Sequence, residues 1–513
     1  MPAPEPGPSG VGRFERRVRT AGLIAGPPAA FLVYLLNPGG HPPEARRLLA
    51  ILAFTIVFWM TEAIPLPATA LLSSSLAIVL GVAPAREVLQ PYAAPIIFLF
   101  LGTFLLAEAF RKFALDRRVA ALLLGRRGES GGFRRSRFGR ILGLGGATAA
   151  ISLWISNTAS AALMTPIALG LGGDGDGTDE RPPQGEPRPW MTALLLMVAY
   201  GATIGGMATL VGTPPNLLVA GFLDSMCGVQ VGFVGWLLFG VPIALVLFVV
   251  SIAWTWLVLG RRGDAGAPDG QAPQENPDEP GEATPAWRHT GARVTMAALG
   301  LAVLLWCLPS LARVVYGPNS DAAAAFAARL PEAGVALLCA SLLFVVPIEW
   351  RRRRFALTWR EGTRLNWGIL MLFGGGLSLG TLAESTGVAR WVGEGLSSFG
   401  LARTGPGLLF CAVALAIVVS EFASNTASGT ILVPIVIAAA EASGLDPVRP
   451  AIGVGLAATC GFVFPVSTPP NAIVFGTGQV PLRRMIEVGI LLDVTALIVV
   501  WGGLMLLAPL LPR

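Results

Sequence analysis

"SNTASAALMTPI" occupies residues 156–167, and "SNTASGTILVPI" occupies residues 424–435. Both sit inside long apolar stretches, where lipid offers a polar side chain no hydrogen-bond partner. An offset of 268 positions separates Ser156 from Ser424 and also Pro166 from Pro434. A second motif follows each copy, "VGTPPN" at 211–216 and "VSTPPN" at 466–471. Upstream, "FLFLGTFLL" (98–106) and "ILMLFGGGL" (369–377) echo each other as well. Two polar motifs repeated in the same order mark a duplicated unit with a purpose inside the membrane.

The composition around them sets the class. Of 513 residues, 53% are hydrophobic and 13% charged, with mean hydropathy +0.66, more apolar surface than a soluble core conceals. Stretches such as 236–259, 293–314 and 486–511 approach the roughly 20 residues that span a bilayer. The ten-residue alternation of a membrane barrel is missing, so the expectation is an all-α polytopic membrane protein. A net charge of +6 does not point to nucleic acid, because the arginines cluster in short loops beside apolar segments. Cys227, Cys307, Cys339, Cys411 and Cys460 show no CxxC or Cys/His spacing and read as small core residues. The polar N-terminus ends near Thr20, and the apolar run after it lacks a small-residue cleavage site; the first helix is expected to be retained.

Basic groups at Arg13–Arg19, Arg111–Arg140, Arg261–Arg262, Arg351–Arg354 and Arg483–Arg484 are expected on the cytoplasmic side. One threading satisfies this, with about eleven transmembrane helices plus two re-entrant hairpins, the N-terminus cytoplasmic and the C-terminus outside. The inner hairpin is 141–172 with Ser156 at its tip, and the outer is 406–443 with Ser424 at its tip. Segments 190–222 and 450–478 are broken helices. The chain divides into a tail (1–20), scaffold helices (21–95), a first inverted repeat (96–235), further scaffold helices (236–365) and a second inverted repeat (366–513). Loops 173–189 and 263–286 are rich in Pro, Gly and acids, and read as cytoplasmic linkers. The opposite orientations forced on the two copies are the mark of an inverted-repeat transporter.

"TPPN" must break an apolar helix, since two prolines remove backbone donors and push the preceding residue out of helical geometry. Such a break is tolerated at membrane depth only where the freed groups line a cavity inside the protein. Gly212 and Ser467 can present carbonyls there, and Thr213 and Thr468 add hydroxyls. The tips bring Ser156, Asn157, Thr158 and Ser424, Asn425, Thr426 to one depth from opposite sides. Their oxygens suit a small hard cation, while amide and hydroxyl donors suit an anion. Half-helix N-termini favour negative charge and C-termini favour Na⁺. The arrangement yields two cation sites flanking one anion site. None of the four motifs holds Arg or Lys, so a bound dianion needs cations that travel with it. The plainer alternative treats these residues as interhelical glue worth about 0.6 kcal/mol per contact. A lone SNT fits that alternative; a duplicated, oppositely oriented pair of motifs does not.

At these residues the chain resembles the divalent anion/sodium symporter (DASS) family of dicarboxylate, citrate and sulfate transporters. "TEAIPLPATALL" (61–72), "NWGILMLFGGG" (366–376), the paired SNT motifs and the two TPPN motifs carry the likeness, from about residue 45 to the C-terminus. The resemblance implies a homodimer in which a transport domain moves like an elevator against a fixed scaffold. It implies a first sodium site from Ser152, Ser156, Asn157 and Gly212, and a second from Ser420, Ala423, Asn425 and Ser467. Substrate contacts are carried over to Asn157, Thr158, Thr213, Pro214, Asn425, Thr426, Thr468 and Pro469. Ser420 and Ser467 stand where relatives often have Thr and Ala, and both swaps keep the oxygen required.

Glu62, Glu108 and Glu421 are acids in or near apolar sequence and so are functional suspects. Glu62 and Glu108 read as surface or scaffold contacts, and Glu421 as a brace for the hairpin tip. His41 and His289 fall in expected loops. Trp59, Trp154, Trp190 and Trp367 read as interface anchors. A channel would need a continuous polar path, and an enzyme would need a nucleophile, base or metal cluster that the motifs lack. The function expected is Na⁺-coupled symport of C4 dicarboxylates (succinate, malate, fumarate), with Na⁺ as the co-transported ion at two or more sites. The alternatives are a sodium-independent dicarboxylate exchanger, or a Na⁺-coupled carrier of citrate or sulfate. The expected partners are a dianionic solute, lipid and a second copy of the chain, and the expected location is the bacterial inner (plasma) membrane.

Overall fold

A computed structural model describes residues 10–36, 40–124, 136–173, 188–260, 290–317, 320–397 and 400–511. The linker expected at 263–286 and most of that at 173–189 lie outside the described residues, as do His289, Arg261, Arg262 and part of the Arg111–Arg140 group.

In chain order the helices are α1 (Gly10–Leu36), α2 (Pro43–Thr61), α3 (Leu66–Val79), α4 (Ala85–Leu89), α5 (Pro95–Lys112), α6 (Leu115–Leu124), α7 (Arg137–Ser152), α8 (Asn157–Gly173), α9 (Pro189–Met207), α10 (Pro214–Cys227) and α11 (Phe233–Val258). They continue with α12 (Thr290–Tyr316), α13 (Asp321–Arg329), α14 (Glu332–Val345), α15 (Trp359–Gly362), α16 (Trp367–Ser385), α17 (Val388–Ser397), α18 (Gly405–Phe422), α19 (Asn425–Ala442), α20 (Val448–Thr459), α21 (Pro469–Gly476) and α22 (Leu482–Leu506). Prolines punctuate the starts: Pro43, Pro95, Pro189, Pro214 and Pro469 each stand in a first turn, where their missing N–H is no loss.

Helices are interrupted at both SNT motifs and ahead of both TPPN motifs. α7 and α8 part between Ser152 and Asn157, and α18 and α19 part between Phe422 and Asn425. α9 and α10 are separated by 208–213, and α20 and α21 by 460–468. Thr213 (φ −143°, ψ 144°) and Thr468 (φ −138°, ψ 146°) leave the two breaks in nearly the same extended conformation, as expected before proline.

α9 is the innermost helix, with every residue from Met191 to Met207 buried. It packs on α7 closely enough that a Cβ at Gly205 would lie 2.3 Å from the Ala149 carbonyl oxygen. The second arm of each hairpin leans on the other half's broken span, α8 on α21 and α19 on α10. The tips and breaks therefore share one interior. Further out, α1 packs on α2, α3 on α16 and α5 on α14. Hydroxyls do serve as glue there: Thr55 Oγ1 meets Ser73 Oγ at 2.6 Å, and Ser378 Oγ donates to the Val88 carbonyl at 2.7 Å.

Among the described residues, nine helices are long and apolar enough to cross a membrane alone. The count becomes ten if α13 and α14, bent by 49°, form one span. Two of the nine, α18 and α19, are the arms of the outer hairpin; of the eleven expected spans, α3 and α20 are apolar but too short by themselves, and α2 is not among the nine. A short hairpin, β1 (Pro347–Glu349) with β2 (Arg354–Phe355), and the helices α13 and α17 were not apparent from the sequence.

Trp59 corrects one expectation. It is 3% exposed and its Nε1 donates to the Leu66 carbonyl across the α2–α3 turn, so it locks a corner rather than anchoring an interface. Glu62 caps α2 in the left-handed region (φ 46°) and pairs with Arg19, while Glu108 pairs with Arg111. Both are contacts of the kind expected.

Candidate functional site

The local fold of each tip follows from one serine and one asparagine. In the first half, buried Ser152 Oγ lies 2.6 Å from the Ala202 carbonyl oxygen and 2.9 Å from the Asn157 side-chain amide. In the second, Ser420 Oγ lies 2.6 Å from the Ala458 carbonyl oxygen and 2.9 Å from the Asn425 amide. The Asn157 atom facing Ser152 is Oδ1, so that hydroxyl shares its one proton between two oxygens; at Asn425 the amide can turn so that Ser420 Oγ donates to the carbonyl and accepts from Nδ2. Turning the Asn425 amide so that Nδ2 donates satisfies Ser420 Oγ (2.9 Å), Ala458 O (3.2 Å) and Ser467 O (3.2 Å) together. Three oxygens, one hydroxyl and two carbonyls, thus converge on a single side-chain atom. That is the donor set a small hard cation takes.

The first half lacks room for anything but glycine beside Asn157. A Cβ at Gly206 would stand 2.0 Å from Asn157 Oδ1, and one at Gly212 would stand 2.4 Å from the Gly206 carbonyl oxygen. The break folds back on itself and delivers Gly206 and Gly212 to the tip. Ser152, Asn157 and Gly212 are therefore brought together by way of Gly206, as are Ser420, Asn425 and Ser467 directly. Ser156 stands apart: it is exposed, and its Oγ accepts from the Ala159 amide at 3.3 Å as a helix cap. Ala423 is buried where α18 ends.

Of the residues carried over as substrate contacts, Thr158 and Pro469 are exposed, and Asn157, Pro214, Asn425 and Thr426 are half-buried. Thr213 and Thr468 are 3% and 1% exposed. Thr468 Oγ1 caps α21 by accepting from the Asn471 amide at 3.3 Å. Both α10 and α21 begin at these threonines, so their positive dipole ends stand at the two breaks, while the first two residues of each helix are prolines with no N–H to offer.

Two pairs of residues in this interior were given no role from the sequence. Asn216 Nδ2 lies within 3.3 Å of the Gly206, Met207 and Thr209 carbonyl oxygens, and Asn471 Nδ2 lies 3.0 Å from those of Gly461 and Phe464. The last letter of each TPPN motif thus staples its own break. Ala202 and Ala458 contribute main-chain carbonyls, which carry no side-chain signature. Glu421 was expected to brace its own tip. It instead reaches the neighbouring break, its two oxygens accepting from the Val463 and Phe464 amides at 3.0 and 3.1 Å.

Paired hairpin tips facing paired helix breaks, lined by hydroxyls, amides and carbonyls, define the core of a secondary transporter. The comparisons place it more narrowly. Residues 28–510 match the family described as "Sodium:sulfate symporter transmembrane region". The chain belongs to that family, one of transporters and not of enzymes, and is an integral membrane protein. It is 33% identical over 487 residues to the sodium-dependent dicarboxylate transporter SdcS of Staphylococcus aureus, covering 93% of this chain and 89% of the relative. Its identity to SdcS of Staphylococcus saprophyticus is 31% over 489 residues, with the same coverage of each chain. The crystal structure of the Alcanivorax borkumensis YdaH transporter shares the fold, with a TM-score of 0.57 at 14% identity, over 91% of this chain and 98% of that one.

Proposed function

We propose that this protein couples sodium to the uptake of C4 dicarboxylates such as succinate, malate and fumarate. The observation that carries the reading is the convergence of Ser420 Oγ, Ala458 O and Ser467 O on the Asn425 amide, beside four motifs devoid of Arg and Lys. A dianion entering such a site meets only dipoles, and leaving it uncompensated there would be expensive. Two sodium ions supply the missing charge, one at Ser152, Ser156, Asn157 and Gly212, the other at Ser420, Ala423, Asn425 and Ser467. Each carboxylate then faces one tip and one half-helix N-terminus, through Asn157, Thr158, Thr213 and Pro214 on one side and Asn425, Thr426, Thr468 and Pro469 on the other. The similarity to sodium-dependent dicarboxylate transporters supports both the ion and the substrate class.

In this reading the chain works as a homodimer of inverted repeats. The hairpins and broken spans move together as an elevator against the scaffold, with the N-terminus cytoplasmic and the C-terminus outside. The family description names sulfate, which makes sulfate the second reading. The test is uptake of radiolabelled succinate into proteoliposomes under an inward Na⁺ gradient, an inward H⁺ gradient or internal succinate, with sulfate, citrate and acetate as competitors. Sodium-driven uptake inhibited by dicarboxylates and not by acetate supports the proposal. Uptake that ignores Na⁺ and requires internal dicarboxylate makes the protein an exchanger, and strong competition by sulfate alone moves the substrate.

A further inference from the structure

Leu153 and Glu421 hold equivalent places at the ends of α7 and α18, and Thr209 and Phe464 hold equivalent places in the two breaks. The contact between hairpin and break is made in both halves, the break donating and the hairpin arm accepting, but with different groups. In the first, Thr209 Oγ1 donates to the Leu153 carbonyl at 2.8 Å. In the second, the break's own amides, Val463 N and Phe464 N, donate to the Glu421 carboxyl. A second acid stands behind it. Asp493, 9% exposed near the middle of the apolar helix α22, stands beside Glu421, and its Oδ1 has no hydrogen-bond partner among the described residues. One turn earlier, Gly489 lets α22 come close: a Cβ there would sit 2.4 Å from the Phe462 carbonyl oxygen. Two consecutive amides, of Val463 and Phe464, are thus held by the Glu421 carboxyl, with the Asp493 carboxyl beside it.

Neither acid forms an ion pair with Lys or Arg among the described residues. Acids placed this way inside a membrane bundle are costly and are retained for function. The other side of the same segment shows what they accomplish. Gly461 O and Phe464 O are held by Asn471 and by Ser467 Oγ, and Ser467 O is one of the three oxygens gathered on the Asn425 amide. With Val463 N and Phe464 N held by Glu421, the segment from Gly461 to Ser467 is fixed where Ser467 O reaches the cluster.

We infer that Asp493, acting through Glu421, is a positioning residue for the second sodium site, one that has no counterpart at the first. The inference rests on the sodium reading above. It makes the two sites unequal: the second depends on an acid brace from α22, while the first break is held by neutral donors, Thr209 Oγ1 and the Asn216 amide among them.

The test compares Asp493→Asn, Glu421→Gln, the double variant and Asp493→Glu with wild type, full-length and reconstituted. It reads the sodium concentration for half-maximal uptake separately from the succinate KM at saturating sodium. Leu153→Ala serves as the first-half control. Loss of a hydrogen bond to a charged group corresponds to roughly ten- to hundredfold. Glu421→Gln is therefore expected to raise the sodium requirement about tenfold or more. Asp493→Asn should raise it by a smaller factor and Leu153→Ala should leave it unchanged, with succinate KM steady throughout. The double variant should be no worse than Glu421→Gln, because coupled residues are not additive, and Asp493→Glu should recover part of the loss. If a variant incorporates too poorly for transport, the rise in its melting temperature on adding NaCl to detergent-purified protein gives the same comparison. An unchanged sodium requirement in Asp493→Asn, or equal shifts in sodium requirement and succinate KM, overturns the inference. Wild-type uptake that ignores sodium overturns the sodium reading itself, a separate result obtained before any variant is made.

Discussion

Ser420 Oγ lies 2.9 Å from the side-chain amide of Asn425, the same separation that holds Ser152 Oγ and Asn157 in the first half of the chain. Each serine closes the last turn before a hairpin tip, and each asparagine opens the helix after it. The tip thus carries its polar atoms on helix ends, which are rigid, rather than on a loose loop. The amide is the part that can rotate, offering nitrogen to the surrounding oxygens when no cation is present and oxygen to a cation that replaces it.

Removing that amide is the most specific lesion available. Asn157→Ala and Asn425→Ala should each lower kcat/KM for succinate by about 10- to 100-fold, the equivalent of roughly 1.5–3 kcal/mol for a contact to a charged group. Expression and melting temperature should stay close to wild type. Initial uptake rates at fixed sodium, beside a thermal melt of the same preparation, check both halves of the statement.

Gly206 has a side chain's worth of space already filled by Asn157 Oδ1, at 2.0 Å from the position of a Cβ. Gly206→Ala should therefore displace the first tip, costing about 1–3 kcal/mol of overpacking and abolishing sodium dependence at that site. Gly429→Ala places its Cβ 3.6 Å from Leu218, ordinary contact, and should transport normally. A pair of uptake assays separates the two outcomes.

Asn216 and Asn471 staple the breaks: removing Asn216 strips the Gly206 and Thr209 carbonyls of its amide, and removing Asn471 leaves those of Gly461 and Phe464 to share the single Ser467 hydroxyl. Asn216→Leu and Asn471→Leu are expected to destabilise the protein by about 2–4 kcal/mol, since every orphaned buried polar group costs about 1–3 kcal/mol. The melting temperature in detergent should fall by several degrees in each case, unlike the tip variants.

The clip on the β1–β2 side makes a pH-dependent prediction. Lys112 Nζ donates to the Ala356 carbonyl at 2.9 Å and to Glu361 Oε2 at 2.8 Å, and Glu361 also closes a capping box with Thr358. Partial burial pushes the Glu361 carboxyl up, but the bonds from Lys112 and Thr358 outweigh it and hold the group below its ordinary range. A depressed carboxyl stabilises the fold above its unfolded pKa, about 4.3, and loses that contribution as pH falls through the folded value. Glu361→Gln should thus lower the melting temperature slightly at pH 7, by the equivalent of about 0.5–1 kcal/mol after allowance for solvent screening. The gap should narrow progressively below pH ~4.

The tips and breaks were legible because proline pairs and polar tripeptides have no place in a lipid-facing helix, so their positions in the chain already fixed α7–α8, α18–α19 and both interruptions. Membership of the sodium:sulfate symporter family was legible from the same motifs. The carbonyls of Ala202 and Ala458 were not, since a main-chain oxygen leaves no trace in the residue type. Trp59 was misassigned because hydropathy does not distinguish an aromatic facing headgroups from one filling a helix corner. Asp493 did leave a signal, a single acid in the apolar run 488–510, but its significance depends on α22 meeting the second break, a contact between segments distant in sequence.

The central claim is that sodium makes the dianion site. Equilibrium binding of radiolabelled succinate to the purified protein, in sodium chloride and in choline chloride at equal ionic strength, tests it without any contribution from gradients or orientation. Saturable binding in sodium that disappears in choline, and disappears in both for Asn425→Ala, is the predicted result. Equal succinate affinity in the two salts would contradict it.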